Sequence, residues 1–248
     1  MEFKIKLLEK REEALNTKTF TFSRPKGFDY IAGQYVYLTL PYLLFPDDRG
    51  DTRQFTLSSS PTEKNLSITV RMRQTSGFKR SIEQSPVGTT ISMHGPNGDF
   101  ILENRASTFK VEPQIFIAGG IGVTPFRSIV RYVTDKHINV PITLLCSNST
   151  PEEIPFKKEL DEIVKQNKNI KVIHTITKPE NSRVKWKGLI GRISVEFLKK
   201  HILNSKYNIL HTSFFLCGPP KMVSAMEETL DKIGIDESRV HVEKFTGY

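Results

Sequence analysis

One stretch decides how this chain is read: Pro113-Gln-Ile-Phe-Ile-Ala-Gly-Gly-Ile-Gly-Val-Thr-Pro-Phe126. Its apolar run, residues 115–118, is short, contains β-branched side chains and ends in glycine, which predicts a buried strand. A glycine turn, a Thr-Pro pair and a helical apolar pattern follow. A strand, a glycine turn and a helix N-terminus together favour anion binding, because the amides point outward and no side chain blocks a pyrophosphate.

The glycine spacing of this stretch differs from the dinucleotide fingerprint of Rossmann folds. It is Gly120-x-Gly122-x-x-Pro125, and the third glycine of the fingerprint is missing. Taken alone, the stretch is explained equally well as a structural turn between a strand and a helix. The rest of the chain therefore has to decide between the two interpretations.

The two halves of the chain follow different patterns. From residue 3 to about 102, short alternating segments separated by glycine and proline predict a small antiparallel barrel or sandwich. From residue 111 onward, strands alternate with amphipathic helices, which predicts a doubly wound parallel sheet. We expect two domains, an antiparallel β-barrel over residues 1–108 and an α/β domain over residues 109–248.

The composition excludes several classes of protein. Two cysteines, Cys146 and Cys217, cannot build an iron–sulfur cluster or a cysteine zinc site, and the six histidines show no metal-ligand spacing, so no metal site is predicted. The net charge of +9 favours acidic partners, although solubility alone explains it too. Without a basic stripe interleaved with aromatics, we expect no nucleic-acid binding. Without a signal peptide or a membrane span, we expect a cytoplasmic protein.

Residues 53–61 carry side chains suited to a ligand with a phosphate and a flat ring. On a predicted strand, Arg53 and Phe55 share one face, while Gln54 and Thr56 share the other. Hydroxyl groups follow, which can donate or accept hydrogen bonds. A polar edge strand that ends in a serine turn explains the same pattern.

Residues 68–81 carry a second candidate site. A predicted strand runs into a Ser-Gly turn and a predicted helix start, where Lys79, Arg80 and Ser81 combine charge, hydroxyl and amide. Such a segment can hold a phosphate. A solvated basic turn is the alternative.

In the α/β half, several predicted strand ends meet at one edge of the sheet, where ligands of parallel sheets bind. These ends are residues 119–124, 147–150 and 217–220. The last predicted strand stops at Phe245, and Tyr248 ends the chain just after a glycine. The terminus therefore carries a ring and a carboxylate to one end of the sheet, unless it is a frayed tail.

In this order, the segments resemble the ferredoxin–NADP reductase superfamily of flavoenzymes over essentially the whole chain. The similarity covers the family's flavin-binding, barrel-closing, nicotinamide-dinucleotide, CGP and C-terminal aromatic motifs. The corresponding segments are Arg53-x-Phe55-Thr56-x-x-Ser59, Gly95-Pro96-x-Gly98-x-Phe100, Gly119-Gly120-x-Gly122-x-Thr124-Pro125, Cys217-Gly218-Pro219-Pro220-x-Met222 and Glu243-x-Phe245-x-Gly247-Tyr248. Each motif is weak alone, and their order makes the resemblance strong.

The resemblance implies roles for residues of the barrel. Arg53 is expected to hold the flavin phosphate, Phe55 to pack on the flavin, and Thr56 to hydrogen-bond the reactive N5 edge. Further flavin contacts are implied for Gln54, Ser59, Val70, Arg71, Gly77, Phe78, Lys79, Arg80 and Ser81. The family's second phosphate motif is often G-x-x-[ST], whereas Gly77 and Ser81 are one residue further apart, so the phosphate ligand among residues 77–81 stays open.

The resemblance also implies roles in the α/β domain. The pyridine nucleotide is expected on Gly119, Gly120, Gly122, Thr124, Pro125, Ser147, Asn148, Gly218, Pro219 and Met222. Cys217 and Glu243 are expected to line the hydride-transfer site, and Tyr248 or Phe245 to cover the flavin ring. A covering aromatic must move aside for the nicotinamide, so we expect the tail to gate turnover.

The loop after the second strand of the α/β half bears on the choice of nucleotide. NADP-specific relatives often place a Ser-Arg pair there, whereas this chain has Ser147-Asn-Ser-Thr-Pro-Glu-Glu153. Two carboxylates and no arginine suit a 2′-phosphate poorly, although Lys157 or Arg183 can fold back. We therefore expect FAD, with FMN less favoured, as the cofactor, and NADH or NADPH, leaning to NADH, as the substrate.

The resulting hypothesis is an FAD-dependent NAD(P)H oxidoreductase. Hydride passes from NAD(P)H to flavin N5, and electrons pass on to an acidic carrier such as ferredoxin or flavodoxin. The alternative is an electron-transfer or binding subunit of a larger flavoprotein complex with little activity alone. Both hypotheses rest on the resemblance rather than on any single residue.

Overall fold

The computed structural model of the chain describes residues 1–102, 112–202 and 211–246. The barrel half contains six strands and one helix: β1 (Glu2–Ala14), β2 (Thr17–Phe22), β3 (Tyr35–Thr39), β4 (Thr52–Thr56), β5 (Leu66–Arg71), α1 (Gly77–Gln84) and β6 (Thr90–Asn97). The α/β half contains β7 (Gln114–Gly119), α2 (Val123–Asp135), β8 (Ile142–Asn148), α3 (Lys157–Gln166), β9 (Ile170–Ile176), β10 (Leu189–Ile190), α4 (Val195–His201), β11 (Ser213–Gly218), α5 (Pro220–Lys232) and β12 (Val240–Lys244).

The barrel half is an antiparallel sheet in the order β4-β3-β6-β1-β2-β5. Leu57, just beyond β4, forms an isolated antiparallel bridge with Ile68 of β5, so the first and last strands of this order also meet. Alternate residues of β3, Val36 and Leu38, are fully buried, while Tyr37 between them is exposed. This alternation packs one face of each strand into the interior, and the predicted antiparallel barrel is confirmed.

The α/β half is a parallel sheet in the order β10-β9-β8-β7-β11-β12, with helices on both faces. Every residue of β7 is buried, as its apolar run predicts. The chain runs outward in one direction from β7 to β10 and then returns to place β11 on the other side of β7. The order therefore reverses between β7 and β11, and the crevice at their carboxyl ends is where such sheets bind ligands.

The structure extends the sequence-based prediction at two places. The sequence predicts short segments from residue 3 onward, but β1 is 13 residues long, runs to Ala14 and forms a long hairpin with β2. Contacts with the other domain accompany the extension, since Glu13 accepts a hydrogen bond from Phe156 N (3.1 Å) and Leu15 N donates to Glu152 O (2.8 Å). The two-residue strand β10 was not predicted, because it is too short to show a period.

A partly buried arginine joins the two domains. Arg127 of α2 pairs with Glu63 of the barrel half and Glu159 of α3, and donates to Ser58 O at 2.9 Å. Next to it, Ser128 Oγ donates to Ser59 O at 2.6 Å. The predicted domain boundary between residues 108 and 109 lies outside the described residues.

None of the described helices combines the length and apolarity that a bilayer crossing requires.

Candidate functional site

A cleft of about 320 Å³ lies between the barrel and the carboxyl edge of the parallel sheet. Many of the residues expected at the flavin site line it: Arg53, Gln54, Phe55, Thr56, Val70, Arg71, Lys79 and Phe245. Thr124, which was expected at the pyridine nucleotide, lines the same cleft. Sequence reasoning missed the other lining residues: Asp47, Arg49, Thr69, Arg73, Thr75, Ser76, Ile121, Lys244 and Thr246. The cleft thus brings the predicted flavin residues and the predicted nucleotide turn to one place.

Strand β4 supplies one wall of the cleft. The guanidinium of Arg53 lies 5.6 Å from the centre of the Phe78 ring, and the centres of the Phe55 and Phe78 rings are also 5.6 Å apart. Both side chains therefore lie against the same aromatic residue of α1. Thr56 is buried at the end of the strand. Phe55 is only partly buried, which leaves an aromatic surface available to a flat ring.

Several expected flavin residues do not line the cleft. Ser59 is buried, where its Oγ bonds with Tyr30 Oη and accepts from Ser67 N, each at 2.9 Å. Gly77, Phe78 and Ser81 are also buried, and a Cβ on Gly77 would lie 2.1 Å from Pro46 O. Within this segment the sequence period could not separate the cleft-facing residues from those that support the fold.

The cleft has a strongly cationic lining. It contains Arg49, Arg53, Arg71, Arg73, Lys79 and Lys244. Among the described residues that line it, only Asp47 is acidic. Charged and hydrogen-bonding donors of this kind fit the phosphates of a flavin nucleotide, so the residues present suit FAD or FMN. The charged lining residues that sequence reasoning missed are Asp47 and Arg49 before β4, Arg73 after β5, and Lys244 at the end of β12. Their charge alone gave no sign that they converge.

The glycine turn after β7 contributes backbone rather than side chains. Gly120 has a φ of +53°, and a Cβ there would meet nothing within 4 Å, so the turn is open on this side. Gly122 lies against the end of β11, where an added Cβ would be 2.3 Å from Cys217 O. Thr124 Oγ1 donates to Ile121 O at 3.1 Å, and Pro125 lies buried in the first turn of α2. An open glycine turn at a helix N-terminus suits a pyrophosphate.

The ends of β11 and β8 flank this turn. Met222 of α5 packs against Gly119 and Gly218, since Cβ atoms there would approach its Cε to 2.5 and 2.9 Å. Pro219 precedes α5 as its N-terminal cap residue. At the end of β8, Ser147 is partly buried, and Asn148 is buried with its Oδ1 lacking a hydrogen-bond partner among the described residues.

Cys217 and Glu243 lie side by side on β11 and β12. They are paired in the strand register, and Cys217 Sγ lies 4.0 Å from Glu243 Oε2. Burial, and secondarily the charge of Glu243, raise the pKa of the Cys217 thiol well above its ordinary value. Burial raises the pKa of Glu243 to about 7. Near neutral pH the pair therefore consists of a neutral thiol beside a carboxyl group that gains or loses its proton in this pH range.

The C-terminal aromatic motif is described only in part. Phe245 lines the cleft, and its N–H donates to Gly218 O at 2.9 Å, which continues the pairing beyond β12. Tyr248, the expected cover of the flavin ring, lies outside the described residues.

Comparisons with known proteins agree with this architecture. The oxidoreductase FAD-binding domain family matches residues 4–101, and the oxidoreductase NAD-binding domain family matches residues 116–228. The chain belongs to the ferredoxin–NADP reductase superfamily. The resemblance seen in the sequence is confirmed, and so are the two-domain fold and the expectation of FAD and a pyridine nucleotide. Both matched families are domains of oxidoreductases, one that binds FAD and one that binds NAD.

Individual relatives are named as reductases of different proteins. The chain is 28% identical to a glycine betaine monooxygenase reductase subunit of Chromohalobacter salexigens over 94% of the chain and 61% of that protein. It is 27% identical to an NADH-cytochrome b5 reductase of Debaryomyces hansenii over 95% of the chain and 80% of that protein. A ferredoxin NADP+ reductase from Neisseria gonorrhoeae has a similar fold, with a TM-score of 0.80 at 22% identity and 98% of each chain covered. The chain spans about three fifths of the length of the first curated relatives it matches.

Proposed function

We propose that this protein takes hydride from NAD(P)H onto FAD and passes the electrons to a separate, acidic one-electron carrier such as ferredoxin or flavodoxin. One observation carries the proposal: the flavin wall and the nucleotide turn line a single cleft, with Thr56 and Phe55 on one side and Ile121 and Thr124 on the other. Hydride transfer requires the two reacting rings to be in contact, and a shared cleft supplies that proximity. When bound, FAD accepts a hydride and releases electrons one at a time.

The chain's own residues orient the reactants. The aromatic surface of Phe55 and the buried hydroxyl of Thr56 suit one face and one edge of a flat ring. On the other side of the cleft, the amides around Gly120 suit a pyrophosphate. Cys217 stays neutral beside the turn, and Glu243 can hold or release a proton near neutral pH.

The choice of carrier is supported by charge. The net charge is +9, and the cations of the cleft extend to its mouth, where Arg49 and Arg73 are exposed. Opposite charge accelerates encounter with an acidic protein and makes the rate depend on ionic strength. The relatives are named as reductases of different proteins, so similarity does not indicate one carrier. The carrier is therefore proposed from charge.

We also propose that NADH is preferred over NADPH. Hydrogen bonds from its own backbone N–H and from the N–H of Arg183 lower the pKa of Glu152 to about 2, so this carboxylate is ionised at neutral pH. It follows the end of β8, where the loop of residues 147–153 contains no arginine. An ionised carboxylate in this loop opposes a 2′-phosphate. Arg71 pairs with the second carboxylate, Glu153, at 2.8 Å.

An anaerobic titration tests the proposal. The purified, flavin-loaded protein is titrated with NADH and, separately, with NADPH while the visible flavin absorbance is followed. We expect bleaching at a lower concentration of NADH. A second step adds oxidised ferredoxin or flavodoxin and follows its reduction, and fast flavin bleaching without carrier reduction would remove the carrier from the proposal.

A second candidate is a subunit of a larger flavoprotein complex. It is favoured by the first relative, which is a reductase subunit and is longer than the region that this chain matches. This candidate predicts slow turnover of the isolated chain with every soluble carrier, together with co-purification of another chain at fixed stoichiometry.

A further inference from the structure

The segment at the start of α1 turns most of its side chains away from the cleft. Phe78 lies in the barrel core, and Ser81 Oγ accepts a hydrogen bond from Phe45 N at 3.1 Å. Arg80 lies over the Phe45 ring, with its guanidinium 3.7 Å from the ring centre. Of residues 77–81, only Lys79 lines the cleft.

The N-terminus of α1 is already occupied by a carboxylate of the chain itself. Asp47 Oδ2 accepts hydrogen bonds from Phe78 N at 2.9 Å and Ser76 Oγ at 3.3 Å. Although burial alone would raise the pKa of Asp47, these hydrogen bonds, the Arg49 N–H and the charge of Arg53 together lower it. Asp47 is therefore ionised and stands where a helix N-terminus would otherwise attract a phosphate.

The same carboxylate also holds Arg53. The Asp47–Arg53 pair is nearly buried, with 8% and 11% of the two side chains exposed. The other terminal nitrogen of Arg53 donates to three carbonyl oxygens where the preceding loop enters β4: Arg49 O at 2.7 Å, Gly50 O at 3.0 Å and Thr52 O at 2.7 Å. Arg53 thus fastens the loop of residues 47–52, and its terminal donors are directed at this loop.

Lys79 has different surroundings. Its Nζ donates to Arg71 O at 2.8 Å, and no carboxylate pairs with it among the described residues. The charged groups around it are Arg49 and Arg53 from the β4 side and Arg73 after β5. Asp47 lies at the N-terminus of α1 and lines the same cleft. Burial and then the three arginines lower the pKa of Lys79 to about 8. An ammonium group placed among cations at the wall of a cleft is stabilised by a bound anion.

Building on the proposed function, we propose that Lys79 is the side chain that binds the flavin phosphate, and that Asp47 keeps Arg53 and the α1 amides out of this role. The phosphate site of the chain is then centred on a lysine rather than on the arginine that the family motif indicates. The proposal has a direct consequence for affinity. Removing the charge of Lys79 should weaken the binding of phosphorylated flavins, whereas removing the charge of Asp47 should strengthen it.

The test measures the binding of FAD, FMN and riboflavin to the apoprotein by quenching of flavin fluorescence. In Lys79→Met, which keeps the length of the side chain without its charge, we expect the Kd of FAD and FMN to rise about tenfold or more, while that of riboflavin is unchanged. In Asp47→Asn, which retains an acceptor for Phe78 N, we expect both phosphorylated flavins to bind a few times more tightly. Weaker FAD and FMN binding in Asp47→Asn would instead show that Asp47 presents Arg53 to the phosphate, and would overturn the proposal.

A pH series provides a readout that a purely structural lysine would not change. Because Lys79 must be protonated to bind phosphate, the wild-type affinity for FMN relative to riboflavin should fall as the pH rises from 7 to 9.5, through the Lys79 pKa of about 8. Lys79→Arg keeps the charge over this range and should bind FMN with a flat profile. Equal profiles in the two proteins would overturn the assignment even if Lys79→Met fails to fold. If the wild type binds none of the three flavins, it is the proposed function that fails.

Discussion

The two walls of the cleft differ in what they present to a ligand. The α/β wall presents backbone, because the turn after β7 is made of glycines whose missing Cβ atoms leave either an open surface or room for β11. The barrel wall presents charged side chains from three separate segments, at residues 47–53, 71–73 and 79. A backbone site needs a fixed spacing of glycines, so it is recognisable as a motif. A side-chain site needs only convergence in space, so its members can be exchanged while the charge is kept.

Substitution of Gly122 should have the largest effect, because it tests the backbone wall directly. A Cβ in Gly122→Ala would lie 2.3 Å from Cys217 O and 2.5 Å from Cys217 C, and neither backbone atom can move without separating α2 from β11. We expect a loss of about 3 kcal/mol or more in the free energy of unfolding. Urea unfolding followed by circular dichroism measures it.

Gly120→Ala is the matched control for this substitution. Gly120 has open space around its Cβ position but a φ of +53°, so the cost should be the strain of a left-handed alanine, about 1 kcal/mol. If the two variants lose the same stability, steric contact with β11 is not what requires glycine at position 122.

The contact that holds the two walls together should rank second. Arg127→Met removes the charge that pairs Glu63 with Glu159 across the domains and leaves two carboxylates near each other. Because the arginine side chain is only 11% exposed, we expect a loss of about 2–4 kcal/mol in the free energy of unfolding. Arg131→Met on the same helix breaks a more exposed pair with Asp135 and should cost at most about 1 kcal/mol. Equal costs would mean that Arg127 is not an interdomain link.

Glu243 gives a pH dependence with an unusual sign for a carboxyl group. Burial raises its pKa from 4.5 to about 7, so between these values the folded state binds more protons than the unfolded state. Its contribution therefore falls as the pH rises from about 4.5 to 7, by at most about 3 kcal/mol. Glu243→Gln should differ least from the wild type at pH 5 and be clearly more stable at pH 8.

Unfolding measured at pH 5, 6, 7 and 8 tests this sign. Glu228→Gln, which alters an exposed carboxylate of α5, should leave the pH profile of the wild type unchanged. A stability difference between Glu243→Gln and the wild type that does not grow with pH would show that Glu243 titrates as an ordinary carboxylate.

The α/β half shows how much of such a protein can be predicted from its sequence. The apolar run of residues 115–118 predicts a strand, and β7 is Gln114–Gly119. The helical pattern after the Thr-Pro pair predicts a helix, and α2 is Val123–Asp135. These segments are predictable because their burial follows a local period and their ends are set by glycine and proline. The family motifs then connected them to FAD and a pyridine nucleotide.

The barrel wall shows where prediction from sequence stops. Arg49 and Arg73 are far apart in the chain and were not expected at the site. Asp47 was not expected at the N-terminus of α1. Nothing in the local pattern of residues 47–49 says that this loop folds over a helix that begins thirty residues later. Convergence of charges is a property of the tertiary fold, so it appears only when strand pairing and loop packing are known.

The smallest expected effect concerns the preference between NADH and NADPH. It extends the comparison to the loop after β8, the strand next to β7 in the parallel sheet. Glu152 accepts hydrogen bonds from Ser182 Oγ at 3.0 Å and Arg183 N at 2.7 Å, so the loop after β8 and the loop after β9 are tied together by an ionised carboxylate. Glu152→Gln keeps an acceptor for these donors and removes the charge that opposes a 2′-phosphate. We expect kcat/KM for NADPH relative to NADH to rise roughly threefold, because a screened charge near the surface has a modest effect.

The control for this ratio is Glu180→Gln, which removes an exposed carboxylate from the same connection without the hydrogen bonds to residues 182 and 183. It should leave the ratio unchanged, and the effect of Glu152→Gln should shrink at high salt, since it is electrostatic. A ratio that stays constant in Glu152→Gln would mean that the 2′-phosphate does not approach this loop. Nucleotide choice would then depend on side chains elsewhere, as we propose for the flavin phosphate at the barrel wall, rather than on the segment that follows β8.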